Sequence, residues 1–281
     1  KFLGFYQAGV NRLSIGVQSF NPAHLSILGR IHDQQEAIDA VSIAQQAGFN
    51  NINIDLMHGL PEQTAGEAMN DLQQAIEHKV QHISWYQLTI EPNTAFYRQP
   101  PTLPHDDILA DIQEQGIRLL KQSGFNQYEV SAFSQPSRQS QHNLNYWRFG
   151  DYLGVGAGAH GKITDLENQK IIRRQKTRLP DHYMQHPDKP TTKQWEVPLE
   201  ERPVEFLMNG LRLQEGVPSH YFTERTGLPL DTIAPQIQQL QAQGLLSKTP
   251  NRLQTTPLGQ RFLNSVLEKF EGVLDNVSYN T

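Results

Sequence analysis

Residues 51–61 read NINIDLMHGLP. Ile52 and Ile54 alternate with Asn51 and Asn53, the period of two that marks a strand. A carboxylate, Asp55, follows, then Leu56-Met57 and the turn Gly59-Leu60-Pro61. A strand that closes on an acid and a Gly/Pro turn, ahead of a helix start, is how an α/β protein presents a polar group at the carboxyl edge of a parallel sheet. Thr64-Ala65-Gly66-Glu67 supplies that helix start, with Thr64 capping the backbone and Glu67 reaching back as in a capping box. On this local pattern Asp55 is equally a turn or cap stabiliser and a ligand group.

The same unit recurs on either side. Residues 12–18 (RLSIGVQ) alternate polar and apolar and spell a strand ending in Gln18. Asn21-Pro22 opens a turn or helix start, with Leu25, Leu28 and Ile31 spaced for one face of a short helix. A helix over 35–47 carries Ala37, Ile38, Val41 and Ala44 on one face and stops at Gly48. After the opening strand, a helix over about 67–78 turns Ala68, Met69, Leu72, Ala75 and Ile76 inward. Residues 82–89 (HISWYQLT) form the next strand. The Pro-rich stretch 91–105 is too long for a simple connection and reads as an insertion or lid on the active face. Asp106-Asp107 begin a helix closed by Gly124, and residues 127–133 (QYEVSAF) spell a further strand. Strands alternating with helices mean a parallel sheet, and periodicity leaves open whether it is an open sheet or a barrel.

Beyond residue 134 come a polar loop, HNLNYW at 142–147, and YLGVGAGAHG at 152–161. The latter contains G-x-G-x-x-A at Gly154, Gly156 and Ala159, but no helix pattern follows and no acidic strand end lies about 20 residues on, so it is not read as a dinucleotide fingerprint. Its small residues serve close backbone packing or the approach of a flat ligand. Residues 165–202 are charged, Pro-containing and weakly periodic, a connecting segment in which Lys170-Ile171-Ile172-Arg173 is an edge strand. From Pro203 the texture changes. Phe206, Leu207, Leu211 and Leu213 spell a helix, Tyr221 to Thr226 a second, and a third is capped by Asp231. A hairpin over 245–255 and a last helix carrying Phe262, Val266, Leu267 and Phe270 follow. That succession is winged-helix-like. The expected organisation is an α/β domain over 1–164, the connection, a C-terminal module over 203–275 and a loose tail over 276–281.

Nucleic acid is not an expected partner, although DNA binding is the sharp reading of a winged helix. From Pro203 on there are six basic residues against seven acidic ones, whereas a nucleic-acid reader is basic on its contact face. The whole chain of 281 residues carries a net charge of −5. No apolar run approaches the roughly 18 residues of a membrane helix, and nothing resembles a signal peptide, so a cytoplasmic protein is expected. The complete lack of cysteine excludes disulfides and Cys-ligated metals within these residues. The chain opens on Lys1 rather than Met, with residues 2–8 reading as a helix already under way, so an upstream part is expected. The strand over 12–18 would then be left as an unpaired edge and the chain poorly stable by itself.

Gln18, Asp55 and Thr89 each fall at or near the carboxyl end of successive strands, which on a parallel scaffold share one ligand-binding face. Amide, carboxylate and hydroxyl together suit a small polar molecule with ribose-like hydroxyls, and Arg30 in the adjoining loop is placed to hold a carboxylate bidentately. Taken singly, each is as well explained by strand-end or cap hydrogen bonding. His142, with Tyr146 and Trp147 close behind it, is either a satisfied structural histidine or a ligand to a metal or haem iron against an aromatic wall. His32, His58 and His160 lack a chelate spacing, and Glu91 and Glu129 sit near strand ends without being singled out for acid–base work.

At this point several motifs in order resemble one family. NRLSIGVQSF at 11–20, LGRIH at 28–32, NIDLMHGLP at 53–61, WYQLTIEPNT at 85–94, QYEVSAF, HNLNYW and YLGVGAGAHG are similar to the HemW-type haem chaperones, a branch of the radical S-adenosylmethionine proteins related to oxygen-independent coproporphyrinogen III oxidase (HemN). The resemblance covers nearly the whole chain. It implies a partial (β/α) barrel followed by a HemN-type C-terminal module, with S-adenosylmethionine bound at a [4Fe–4S] cluster. Gln18, Arg30 and Asp55, and more weakly Thr89, correspond to S-adenosylmethionine contacts. His142 of the HNxxYW element corresponds to the haem ligand. The activity implied is binding haem and passing it to an acceptor protein; the alternative is an oxidase that decarboxylates coproporphyrinogen III. The family holds its cluster with a CxxxCxxC loop near the N-terminus, which is not in this sequence. Ser140 stands where many relatives carry Cys, which puts covalent haem attachment at that position in doubt.

Overall fold

The computed structural model describes residues 1–30, 34–165, 167–186, 188 and 190–274. They form two compact units, one over 1–139 and the other from Ser140 onward.

The first unit runs α1 (Phe2–Gln7), β1 (Leu13–Gln18), α2 (Pro22–Ile27), α3 (Gln34–Gln46), β2 (Ile52–His58), α4 (Ala65–Glu77), β3 (His82–Gln87), α5 (Ala95–Arg98), α6 (Asp106–Gln122), β4 (Asn126–Glu129) and β5 (Ala132–Ser134). Its sheet has the order β1-β2-β3-β5-β4, and β1, β2 and β3 are parallel. The expected fourth strand is a hairpin instead: Val130-Ser131 turns the chain, and β5 pairs antiparallel with both β3 and β4. β1 is the edge strand, as its sequence position implied.

Strand alternation divides this sheet into two unlike faces. Ile52, Ile54 and Leu56 of β2 and Ile83 and Trp85 of β3 point to the helices, where they join Val41, Ala44, Leu72, Ala75, Ile112 and Leu120 in one apolar core. Each isoleucine, leucine or valine among them, fully buried, contributes on the order of 1.5–3 kcal/mol. The helices form because their apolar residues recur on one face and their ends are closed. Thr64 Oγ1 accepts from the Glu67 amide, and the Glu67 carboxylate accepts from the Thr64 amide, which is the expected capping box. The other face of the sheet is polar, carrying Ser14, Asn53, Asp55, His82, Ser84 and Tyr86.

The second unit runs α7 (Gln141–Trp147), β6 (His160–Asp165), β7 (Lys170–Lys176), α8 (Pro180–Gln185), β8 (Thr191–Glu196), α9 (Arg202–Gly210), β9 (Val217–Pro218), α10 (His220–Thr226), α11 (Ala234–Ala242), β10 (Arg252–Leu253), α12 (Pro257–Arg261) and α13 (Leu263–Glu268). Two expectations change here. Lys170–Lys176 is the central strand of an antiparallel sheet β6-β7-β8, not an edge. The expected hairpin is present, with Leu246 bridged antiparallel to Thr255 and the Ser247 amide donating to the Gln254 carbonyl at 2.8 Å, and its second arm, Arg252–Leu253, also pairs with Val217–Pro218. Asp231 lies in a 3-10 turn ahead of α11 and makes no side-chain cap. Phe206, Leu207, Leu211, Leu213, Val266 and Phe270 are buried as their spacing predicts, whereas Phe262 is 54% exposed.

Candidate functional site

The polar face of the first unit is assembled by register. Gly16 lies beside Asp55, which lies beside Ser84, while Gln18 is level with Leu56 across a bulge at Val17. Asp55 is therefore at the middle of β2, not at its end. The bulge sets Gln18 at φ 71°, a left-handed conformation that a side chain adopts only where surroundings hold it. They do: a Cβ on Gly16 would sit 2.8 Å from Gln18 Nε2, so the glycine leaves room for the amide to fold over it. Tyr86 Oη donates to Gln18 Oε1 at 2.7 Å. Beyond Gln18 the chain is pinned from α4. Ser19 Oγ and the Phe20 amide both donate to the buried Asp71 carboxylate at 2.7 Å. Burial pushes the Asp71 carboxyl upward, against the two hydrogen bonds that favour its charge.

Tyr86, which sequence reasoning did not single out, is where the predicted residues converge. Its phenol is pushed up first by burial and then by the Asp55 charge, while Arg30 pulls it down and the hydrogen bond to Gln18 does the same. Gln18, Arg30 and Asp55 thus surround one half-buried ring. Met57, Leu60 and Leu88, with Leu28, Tyr86, Phe96 and Leu103 packed against them, form an apolar cluster beside it. Phe96 and Leu103 bring down the long connection over 91–105, whose helix α5 is capped by Thr94. Thr89 stands apart from this group. It is exposed beyond the end of β3 and lines a cavity of about 280 Å³ with His58, Trp85 and Ile117.

The Asp55 carboxylate is held from within the sheet. Ser14 Oγ donates to Oδ2 at 3.2 Å and Asn53 Nδ2 to Oδ1 at 2.7 Å. Arg12 is half-buried nearby; burial lowers its guanidinium, and the charges of Tyr128 and Asp55 support it.

In the second unit, α7 carries the HNLNYW motif. Ser140 caps it, its Oγ accepting from the Asn143 amide at 3.3 Å. His142 is exposed and meets Tyr146 edge-on with centroids 4.7 Å apart, and Tyr146 meets Tyr152 at 4.4 Å. The next residues along, Leu153 and Val155, are 78% and 84% exposed. The Arg212 guanidinium lies over the Trp147 ring at 4.3 Å. Tyr152 is fixed by backbone pairing with Lys162, whose buried ammonium donates to Asp151, Thr164 and the Phe149 carbonyl. No helix follows the Gly154–Gly156 stretch. A Cβ on Gly154 would sit 2.2 Å from the His160 carbonyl oxygen, so the glycine serves close backbone packing as expected.

The remaining candidates have local explanations or none. His58 is buried against Trp85 at 4.2 Å, on the helix side of the sheet. Glu129 is buried and accepts from the Ser131 amide and hydroxyl within its own hairpin. Glu91 and His160 are exposed, and His32 lies outside the described residues. Among the described residues no helix is long and apolar enough to cross a membrane.

Comparison with known proteins places these features in a family. Residues 4–75 match the radical SAM superfamily and residues 197–262 the HemN C-terminal domain. The chain is 51% identical over 270 residues to the heme chaperone HemW of Escherichia coli K12, covering 96% of this chain and 71% of that protein. It is 48% identical to the heme chaperone HemW of Haemophilus influenzae, with 96% and 70% coverage. In solved structures it is similar to coproporphyrinogen III oxidase (HemN) from Escherichia coli, a radical SAM enzyme, with a TM-score of 0.74 at 21% identity, covering 96% of this chain and 66% of that one. That likeness establishes a shared fold. On identity and coverage together, the chain belongs to the HemW family of radical S-adenosylmethionine proteins.

Proposed function

We propose that this chain carries the haem-binding element and part of the S-adenosylmethionine site of a haem chaperone, which takes up haem and passes it to an acceptor protein. The observation that carries this reading is the string His142–Tyr146–Tyr152, continuing into exposed Leu153 and Val155. Haem needs an axial donor and an apolar surface for its flat macrocycle. An exposed imidazole offers a nitrogen lone pair to iron, and Tyr146, one helical turn on, limits the ring's orientation. A ligand held by a single exposed side chain can also be surrendered to an acceptor. The names borne by the bacterial relatives speak for the same activity.

Gln18, Arg30 and Asp55 fit S-adenosylmethionine: the carboxylate would meet ribose hydroxyls, the guanidinium a carboxylate, and the cluster around Met57 and Phe96 the apolar part, whereas Thr89, in the separate cavity beside His58 and Trp85, has at most a weaker claim. When bound, S-adenosylmethionine supplies an activated carbon–sulfur bond. The residues present do not fit the [4Fe–4S] cluster, because the sequence has no cysteine. Among the described residues no three His, Asp or Glu side chains are grouped to hold a metal. Cluster ligation belongs to no residue of this sequence. In this reading residues 1–164 bind the cofactors, 165–202 connect, and the module from 203 docks the acceptor.

Titration of haem followed by absorbance tests the proposal. His142→Ala is expected to lose the spectrum of an imidazole-ligated haem and to weaken binding at least about tenfold; unchanged affinity and spectrum overturn it. Incubation of a full-length form able to bind the cluster with coproporphyrinogen III separates the alternative, since formation of protoporphyrinogen would establish an oxidase.

A further inference from the structure

We infer that Asn53 and His82 are positioning residues for the Asp55 carboxylate, set by a buried hydrogen-bond chain that begins at Tyr128. The inference rests on the reading of Asp55 as a nucleoside contact.

Asn53 and His82 are 1% and 0% exposed and lie side by side in the register of β2 and β3. Asn53 Nδ2 is 2.7 Å from Asp55 Oδ1 and 2.7 Å from Ser14 Oγ. A carboxylate only accepts, so the amide nitrogen must face it, and the orientation of Asn53 follows. Its Oδ1 then faces His82 Nδ1 at 2.5 Å and the Ser84 hydroxyl at 3.1 Å. A carbonyl oxygen also only accepts, so Nδ1 carries a proton. Burial holds the ring neutral, with the Arg12 charge acting in the same direction. In a neutral imidazole protonated at Nδ1 the other nitrogen accepts, and Tyr128 Oη lies 2.9 Å from it.

All donors therefore run one way, from Tyr128 to His82 to Asn53 to Asp55. Ser14 closes the end, accepting from Asn53 and donating to the second carboxylate oxygen. Both oxygens are thus held from beneath, and each keeps a second lone pair for the hydroxyls of a ligand. A fully satisfied chain of this kind rigidifies the group at its end and strengthens along its length. Burying these groups next to the apolar core has a desolvation cost that plain hydrophobic residues would avoid. What they provide in return is a carboxylate with one orientation before ligand arrives.

The test is calorimetric binding of S-adenosylhomocysteine to the full chain and its variants. His82→Phe keeps a ring but no donor and is expected to weaken binding about tenfold; His82→Asn, whose amide can donate to Asn53, should restore it to within about threefold. In an Asp55→Ala background His82→Phe should have no further effect, which a merely structural role would not predict. Unaltered binding by Asp55→Ala overturns the nucleoside reading itself. Loss by Asp55→Ala with wild-type binding by His82→Phe, or with equal losses in both backgrounds, overturns the positioning role alone. Should His82→Phe fail to fold, the ¹⁵N spectrum of the unaltered protein decides: a proton found on His82 Nε2 rather than Nδ1 refutes the chain.

Discussion

Two buried histidines should make the first unit acid-sensitive well above the range where carboxylates titrate. Burial pushes His58 down to about 4 and His82 to about 3, against about 6.5 for a solvated ring. Because the folded values are depressed, the unfolded chain binds the extra protons. The stability these rings confer as neutral groups is present above pH 6.5 or so and is lost as pH falls toward 4. At pH 5 an unfolded ring is almost wholly charged and a folded one almost wholly neutral, so each costs about 2 kcal/mol relative to pH 8, or about 4 kcal/mol together. That is a large part of the roughly 5–15 kcal/mol that holds a domain folded. Asp71 acts in the opposite sense: its raised folded value confers stability that is fully present below its unfolded value and lost as pH rises, so it cannot cause the loss. Urea unfolding read by Trp85 emission, with Trp147→Phe and Trp195→Phe leaving one tryptophan of the three, should show nearly two protons taken up on unfolding at pH 5. His58→Phe, which keeps the stack on Trp85, should remove one of them. A stability change under about 1 kcal/mol between pH 8 and 5, or a proton uptake untouched by the His58 substitution, would refute the reasoning.

A Cβ on Gly116 of α6 would lie 2.0 Å from Trp85 Cη2, and Trp85 is itself confined between His58 and Phe133. Gly116→Ala, which stabilises an exposed helix by about 1 kcal/mol, should here destabilise by about 1–3 kcal/mol in the same urea assay. Ser140→Ala removes the cap of α7 and should cost about 1 kcal/mol, measured by the urea midpoint of the second unit through Trp147 emission; no change would show that the cap carries no weight.

How much was legible depended on whether a signal was local. The capping box of α4, the glycine stop after α3 and the inward faces of α3 and α4 were readable because their partners lie within one or two turns. The β4–β5 hairpin was not: residues 127–133 alternate without a Gly, Pro or Asn to mark the turn at Val130-Ser131. The central place of Lys170–Lys176 and the pairing of Arg252–Leu253 with Val217–Pro218 depend on partners distant in sequence. The buried chain behind Asp55 did leave a trace. Asn53 and Asp55, then His82, Ser84 and Tyr86, put polar groups at every second position of two strands, which is what a strand with one polar face requires.

By itself, then, the sequence determined the α/β class, the helix limits, the family motifs and the lack of any thiolate for a cluster, since composition and near-neighbour chemistry settle those. Only the tertiary structure decided that Asp55 stands mid-strand, that Tyr86 gathers Gln18, Arg30 and Asp55 around it, and that Thr89 stands apart. Those relations are set by strand register and by the bulge at Val17, where a shift of one residue turns a side chain to the opposite face.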